Sequence, residues 1–371
     1  MNGSKSWLIV KNEEIAESAR ELFGDSVNIT KDGKQHLGAV IGSASYKKEY
    51  CEEKVENWIK ELTTLCEFAE SQPQAAYAAY TKGYRSKFTF FLRTIEGFEE
   101  HLDPIDELLD TNLIPTLFGD RMPKIPRDVL ALNPNEGGIG IPVVRQEAKA
   151  QFDSSLKLTQ HHIQSIIEQA EVLQVLNEEG KTSEDIKTEC RKMKNEGKKE
   201  QIKQIDEQIS VDLKACIDQA RDKGASSWLN TLPIEEQQLN LNKEQFRDAL
   251  HLRYNIPLAG LPSYCPCGER FDVNHALSCK KGGFVSQRHD NLRDLLTHLL
   301  SKICKDVEAE PHLIPVTTEQ MRLRTANTND ESRLDMKAKG FWQRGQTAFF
   351  DLRVTHVNAP SSCSCSDNYK H

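Results

Sequence analysis

The apolar run in "KSWLIVK" (5–11) is short and unbroken, as in a buried strand, and "QHLGAVIG" (35–42) repeats the pattern before closing on glycine. Between them, "NEEIAESARELFG" (12–24) spaces its apolar residues helically and ends at a glycine, so the first 45 residues predict a small α/β piece. From Tyr46 to about Gly119 the helical period continues through Val55, Trp58, Ile59, Leu62 and Leu65, then Phe88, Phe91, Leu92, Ile95 and Phe98. "PNEGGIGIP" (134–142) breaks the pattern, and long helices follow to about Arg221, including the charged run "ECRKMKNEGKKEQIKQIDEQ", most simply a solvated face. After "SSWLNTLPIEE" come helices over 242–254 and 287–306, then two β-like runs, "RLDMKAKGFW" and "TAFFDLRVTH", joined by the glycine-containing "QRGQ" as in a hairpin. The expected fold is mostly α with small α/β and α+β parts and a C-terminal β-hairpin.

At 371 residues the chain has room for two or three domains. Its longest apolar runs are too short to span a bilayer, so no membrane contact is expected. The N-terminus has no secretory pattern, which predicts an intracellular protein, nuclear or cytoplasmic, whose ten cysteines are thiols or metal ligands. The net charge of -8 hides an asymmetry: residues 265–371 carry net +2 and residues 1–264 net -10. The C-terminal part is therefore the better candidate for DNA or RNA, and the acidic helical region for a protein partner.

Within "CPCGERFDVNHALSC" (265–279), Cys265, Cys267, His275 and Cys279 have the spacing C-x-C-x7-H-x3-C. Three thiolates and one imidazole complete a tetrahedral Zn²⁺ shell with no open position, which predicts a structural ion. His275 and Cys279, four apart, share one face of a helical turn, and Gly268 lets the backbone turn around an ion. His289 is an alternative ligand or a cap on the knuckle. Buried thiols without metal are the competing reading.

Strand alternation and a turn near Arg344 and Gly345 set Asp335 opposite the segment that holds Asp351 and Arg353. Paired carboxylates at neighbouring strand ends can hold Mg²⁺ for phosphodiester hydrolysis, with Glu310 as a third oxygen donor. Cross-strand charge pairing with Arg353, Lys337 and Arg333 is the alternative. The tail pair Cys363 and Cys365 and the helical pair His161 and His162 lack further ligands at suitable spacing.

Several of these stretches, in this order, resemble the reverse transcriptases of non-LTR and related animal retroelements. "KSWLIVK" is similar to the lysine-bearing segment after their catalytic Asp-Asp motif, and "HLGAVIG" to the Leu-Gly primer grip. The helices after Tyr46 resemble the thumb, and "NPNEGGIGIP" the Gly-Gly-Leu-Gly segment downstream of it. "FRDALHLRY" with the cysteine cluster resembles the zinc knuckle before a restriction-like endonuclease, where Arg288 and His289 also have a counterpart. Asp335 and Asp351 match the two acids of that endonuclease. Leu334 stands where the pattern has proline, and Arg353 where it has lysine; arginine does not readily exchange a proton.

The resemblance implies the end of a palm at 1–45, a thumb-like domain at 46–133 and a helical connector at 134–230. A helix and zinc knuckle would follow at 231–290 and an endonuclease-like module at 291–357; the tail "NAPSSCSCSDNYKH" (358–371) is, by its own residues, expected to be disordered. The resemblance further implies nucleic-acid contacts at Lys5, His36, Leu37 and Gly38 near a primer end and at Arg288 and His289 near a target. The polymerase aspartates would lie upstream of Met1, so the chain is expected to be a fragment without polymerase activity.

Overall fold

The computed structural model describes residues 5–119, 124–170, 180–312 and 333–354. The tail expected at 358–371, with Cys363 and Cys365, lies outside them. Packing divides the chain into two units, Met1–Leu258 and Ala259–His371.

In the first unit, β1 (Trp7–Ile9) runs parallel to β2 (Asn28–Thr30), and α1 (Glu13–Phe23) is the crossover between them. The Asn12 side chain accepts from the Ile15 N–H and caps α1, with Glu13 and Glu14 in its first turn. β3 (Gly33–His36) and β4 (Ala39–Gly42) form an antiparallel hairpin. Its two-residue turn, Leu37 and Gly38, has φ of 50° and 87°, as a primed hairpin turn requires.

The helices are α2 (Ala44–Ser71), α3 (Pro73–Ala78), α4 (Arg85–Thr94), α5 (Asp103–Leu108), α6 (Ile114–Phe118) and α7 (Arg127–Ala131). They continue through α8 (Val144–Ile167), α9 (Ser183–Gln208), α10 (Val211–Arg221), α11 (Ser227–Asn230) and α12 (Lys243–Arg253). α2 buries Cys51, Val55, Trp58, Leu62, Cys66 and Ala69, the stripe its apolar spacing sets up. Trp58 meets Phe88 and Phe91 edge-on, with ring centres 4.9 and 5.0 Å apart. One buried cluster runs from Val40 to Tyr254, so the stretches expected as thumb, connector and pre-knuckle helix share a core. α9 buries only Ile186 and Ile205 and is otherwise a solvated helix.

Residues 134–142 cross this core with one 3-10 turn, Pro134–Glu136, and no other helix or strand, so most of their carbonyls need side-chain donors. Arg253 donates to the Pro134 and Gly138 carbonyls, Arg221 to Glu136, Tyr254 to Gly137 and Tyr77 to Ile139. Arg127 donates to Ile141 and Pro142. The glycines are fixed by contact: a Cβ on Gly138 would lie 2.0 Å from the Leu132 carbonyl oxygen.

In the second unit, α13 (Val273–Ser278) and α14 (Phe284–Ser301) precede an antiparallel sheet of β5 (Lys305–Ala309), β6 (Met336–Lys339) and β7 (Thr347–Phe350) in that order. The β6–β7 register pairs Met336 with Phe350 and Lys339 with Thr347. Leu300 of α14 packs on Met336 and Ala338, with Leu296, Val307 and Phe350 around them. The expected hairpin is present, and β5 adds a strand that its charged sequence, KDVEA, does not announce. No helix among the described residues is long and apolar enough to cross a membrane.

Candidate metal centre

Tyr264 and Arg270 form an antiparallel bridge, and inside it the Gly268 N–H donates to the Cys265 carbonyl (2.8 Å) and the Cys265 N–H to that of Glu269 (2.9 Å). This tight turn needs φ of 95° at Gly268, where a side chain would be strained. It swings Cys265 and Cys267 toward α13. The Asp272 carboxylate accepts from the His275 N–H at 2.7 Å and starts that helix, which aims His275 and Cys279 back at the turn. Phe271, next to Asp272, stands edge-on to Phe284 at the start of α14, ring centres 5.9 Å apart.

The donor atoms of Cys265, Cys267, His275 and Cys279 all lie within 4.8 Å of one another. The Cys265 and Cys279 sulfurs are 3.7 Å apart, and the Cys267 sulfur is 3.2 Å from His275 Nε2. A tetrahedral ion with metal–sulfur bonds of about 2.3 Å has sulfur edges of about 3.8 Å, which the Cys265–Cys279 separation matches, so the four residues could hold a metal ion. Three sulfurs and an imidazole nitrogen suit a thiophilic dication, of which zinc is the common case.

The electrostatics favour thiolate at one position. Burial raises the Cys279 thiol, but N–H groups of Gly282 and Lys281, with the Cys265 and Cys267 thiols, outweigh it and bring the group down to about 7. At Cys265 the Cys267 N–H favours thiolate, yet burial and the neighbouring thiols together push it above its ordinary value. A dication among the sulfurs would relieve that competition.

The acidic residues are arranged differently. Asp335 Oδ1 lies 3.2 Å from His289 Nε2, and Oδ2 accepts from the Leu352 N–H. Glu310 pairs with Arg293, which also holds Asp290 (3.2 Å) and Asp294 (2.9 Å), and lies 3.8 Å from Arg333. Asp351 and Arg353 are exposed. Among the described residues, Asp335, Asp351 and Glu310 do not gather as the cysteine set does. His289, weighed as a zinc ligand, faces a carboxylate on both nitrogens, since Nδ1 is 3.4 Å from Asp290. Burial lowers its affinity for a proton, but Asp290 and Asp335, with the Leu352 backbone, prevail and raise its pKa above the ordinary 6.5.

Of the other sequence candidates, Lys5 and His36 are exposed, Leu37 is 85% exposed at the β3–β4 turn, and the Gly38 carbonyl accepts from Tyr50 (2.7 Å). Arg288 is half-buried with its Nε unpartnered. Sequence reasoning missed Asp272 and Arg293. An aspartate three residues before His275, at a helix start, was a readable capping signal; Arg293 carried none. No protein-family model and no curated protein matches the chain.

Proposed function

We propose that this chain is a nucleic-acid-binding part of a retroelement reverse transcriptase and endonuclease, without polymerase activity of its own. The observation that carries it is the convergence of Cys265, Cys267, His275 and Cys279 within 4.8 Å, which supports a structural Zn²⁺ as the anchor of a nucleic-acid-binding knuckle. The order of its segments supports the same reading, as does the Leu37–Gly38 turn, exposed where a primer grip would be. The helical unit takes the thumb role, the knuckle and the Arg288 and His289 face contact the target, and the sequence contains no Asp-Asp pair to bind polymerase metals.

The test is binding of the full chain to DNA and RNA across a salt series. Affinity falling steeply with salt supports the reading, because phosphate contacts release counterions. The charge of residues 1–264, net -10, favours a second reading, a zinc-stabilised scaffold for a protein partner. Salt-independent or absent nucleic-acid binding would support it instead.

A residual Mg²⁺-dependent endonuclease is the weaker alternative. It requires Asp335 and Asp351 to share an ion, whereas both Asp335 oxygens already have partners in His289 and the Leu352 N–H.

A further inference from the structure

The loop between β6 and β7, "GFWQRGQ" (340–346), exposes Trp342 to 77% of its surface. The other tryptophans are spent otherwise: Trp58 and Trp228 pack in the core, and Trp7 lies under the Lys34 ammonium, 4.0 Å from the ring centre. An indole this exposed gives up most of the apolar burial open to it.

The loop is closed by its own backbone bonds and tied to the sheet. The Gly340 N–H donates to the Gln346 carbonyl at 2.7 Å and the Gln346 N–H to that of Gln343 at 3.1 Å. Phe341 stands edge-on to both Trp342 (4.7 Å) and Phe350 (5.0 Å), tying the loop to the sheet. A ring ordered in advance gives up little freedom on binding. Residues 336–350 contain three basic and no acidic residues, although Asp335 and Asp351 flank them directly. Lys337 and Lys339 face Glu308 and Asp306 of β5, so the exposed cation of the loop is Arg344.

We propose that the β6–β7 loop is a base-stacking finger: Trp342 stacks on an unpaired nucleotide base and Arg344 contacts the adjoining phosphate. The occupant is single-stranded DNA or RNA, because unpaired bases offer their π-faces to a ring all along the strand, a duplex only at its ends, and stacking tolerates any base. The finger rests on the nucleic-acid-binding reading and adds which strand form is bound and by which residues.

The experiment measures binding of the full chain to a mixed-sequence single-stranded oligonucleotide carrying 2-aminopurine, and to the duplex of the same sequence. Trp342→Ala should weaken single-strand binding about 5- to 150-fold and abolish the quenching of 2-aminopurine that stacking produces. Trp342→Phe should keep most of both, and duplex binding should not change. Arg344→Gln should reduce the salt slope of binding by about one. Wild-type affinity and quenching in Trp342→Ala would overturn the finger while leaving the broader reading intact, as would an equal loss on duplex. Failure of the wild-type chain to bind any oligonucleotide would overturn both. Since Trp342 is exposed, its replacement leaves the sheet folded.

Discussion

A single guanidinium nitrogen of Arg253 donates to the carbonyls of both Pro134 (2.6 Å) and Gly138 (3.0 Å), which lie 119 and 115 positions away in sequence. With the Ser226 hydroxyl as a third acceptor, this side chain ties α12 to a core-crossing segment that has no ladder of its own. Arg253→Ala should destabilise the first unit by about 2–4 kcal/mol, because buried carbonyls lose a charged donor. Arg253→Lys should not restore it, since one ammonium cannot reproduce the fork. Denaturant unfolding followed through Trp58 and Trp228 fluorescence measures both.

Gly138 and Gly83 should respond in opposite directions to alanine. At Gly138 the added methyl meets the Leu132 and Val129 carbonyls at 2.0 and 2.5 Å, so the backbone must move, at a cost of about 2–4 kcal/mol. At Gly83, in a helical turn, nothing lies within 4 Å, and alanine should stabilise by about 0.5–1 kcal/mol. Thermal unfolding of the two variants checks the pair.

Removing the ion should melt the knuckle and leave the helical unit folded. Chelation, or Cys267→Ser, should expose the amides of residues 263–284 to hydrogen exchange while those of α2 stay protected. Apparent zinc affinities of about 10–16 kcal/mol exceed what so small a cluster can supply by packing. Retained protection around Cys265 and Cys279 after chelation would count against a structural metal.

The His289 and Asp335 pair should make the second unit pH-sensitive. Because the folded imidazole titrates above 6.5, its contribution to stability is fully present below that value and is lost as pH rises through the raised value. Asp335→Asn should lower the His289 pKa in an NMR titration and flatten the stability profile above neutrality. An unchanged titration would show that the pair carries no charge coupling.

What the sequence disclosed follows the distance over which each feature is encoded. Cys265, Cys267, His275 and Cys279 lie within fifteen positions and the α2 stripe within one helix, so spacing alone revealed both groupings. β5 was hidden because Lys305, Asp306 and Glu308 are exposed, the two acids pairing with lysines of the neighbouring strand, leaving no apolar alternation to read. Arg253 was hidden because its partners lie more than a hundred residues away, and local periodicity carries no trace of such a contact. The carboxylates were legible as residues but not as a site: the hairpin register sets Asp335 near Asp351, while α14 brings His289 against it from 46 positions earlier.

The most direct measurement is zinc-edge X-ray absorption on the purified full chain, with metal content determined on the same sample. One zinc per chain, with three sulfurs at about 2.3 Å and one nitrogen at about 2.0 Å, is the expected result. A folded chain without metal, or an ion surrounded mainly by oxygen, would contradict the assignment of Cys265, Cys267, His275 and Cys279 as its ligands.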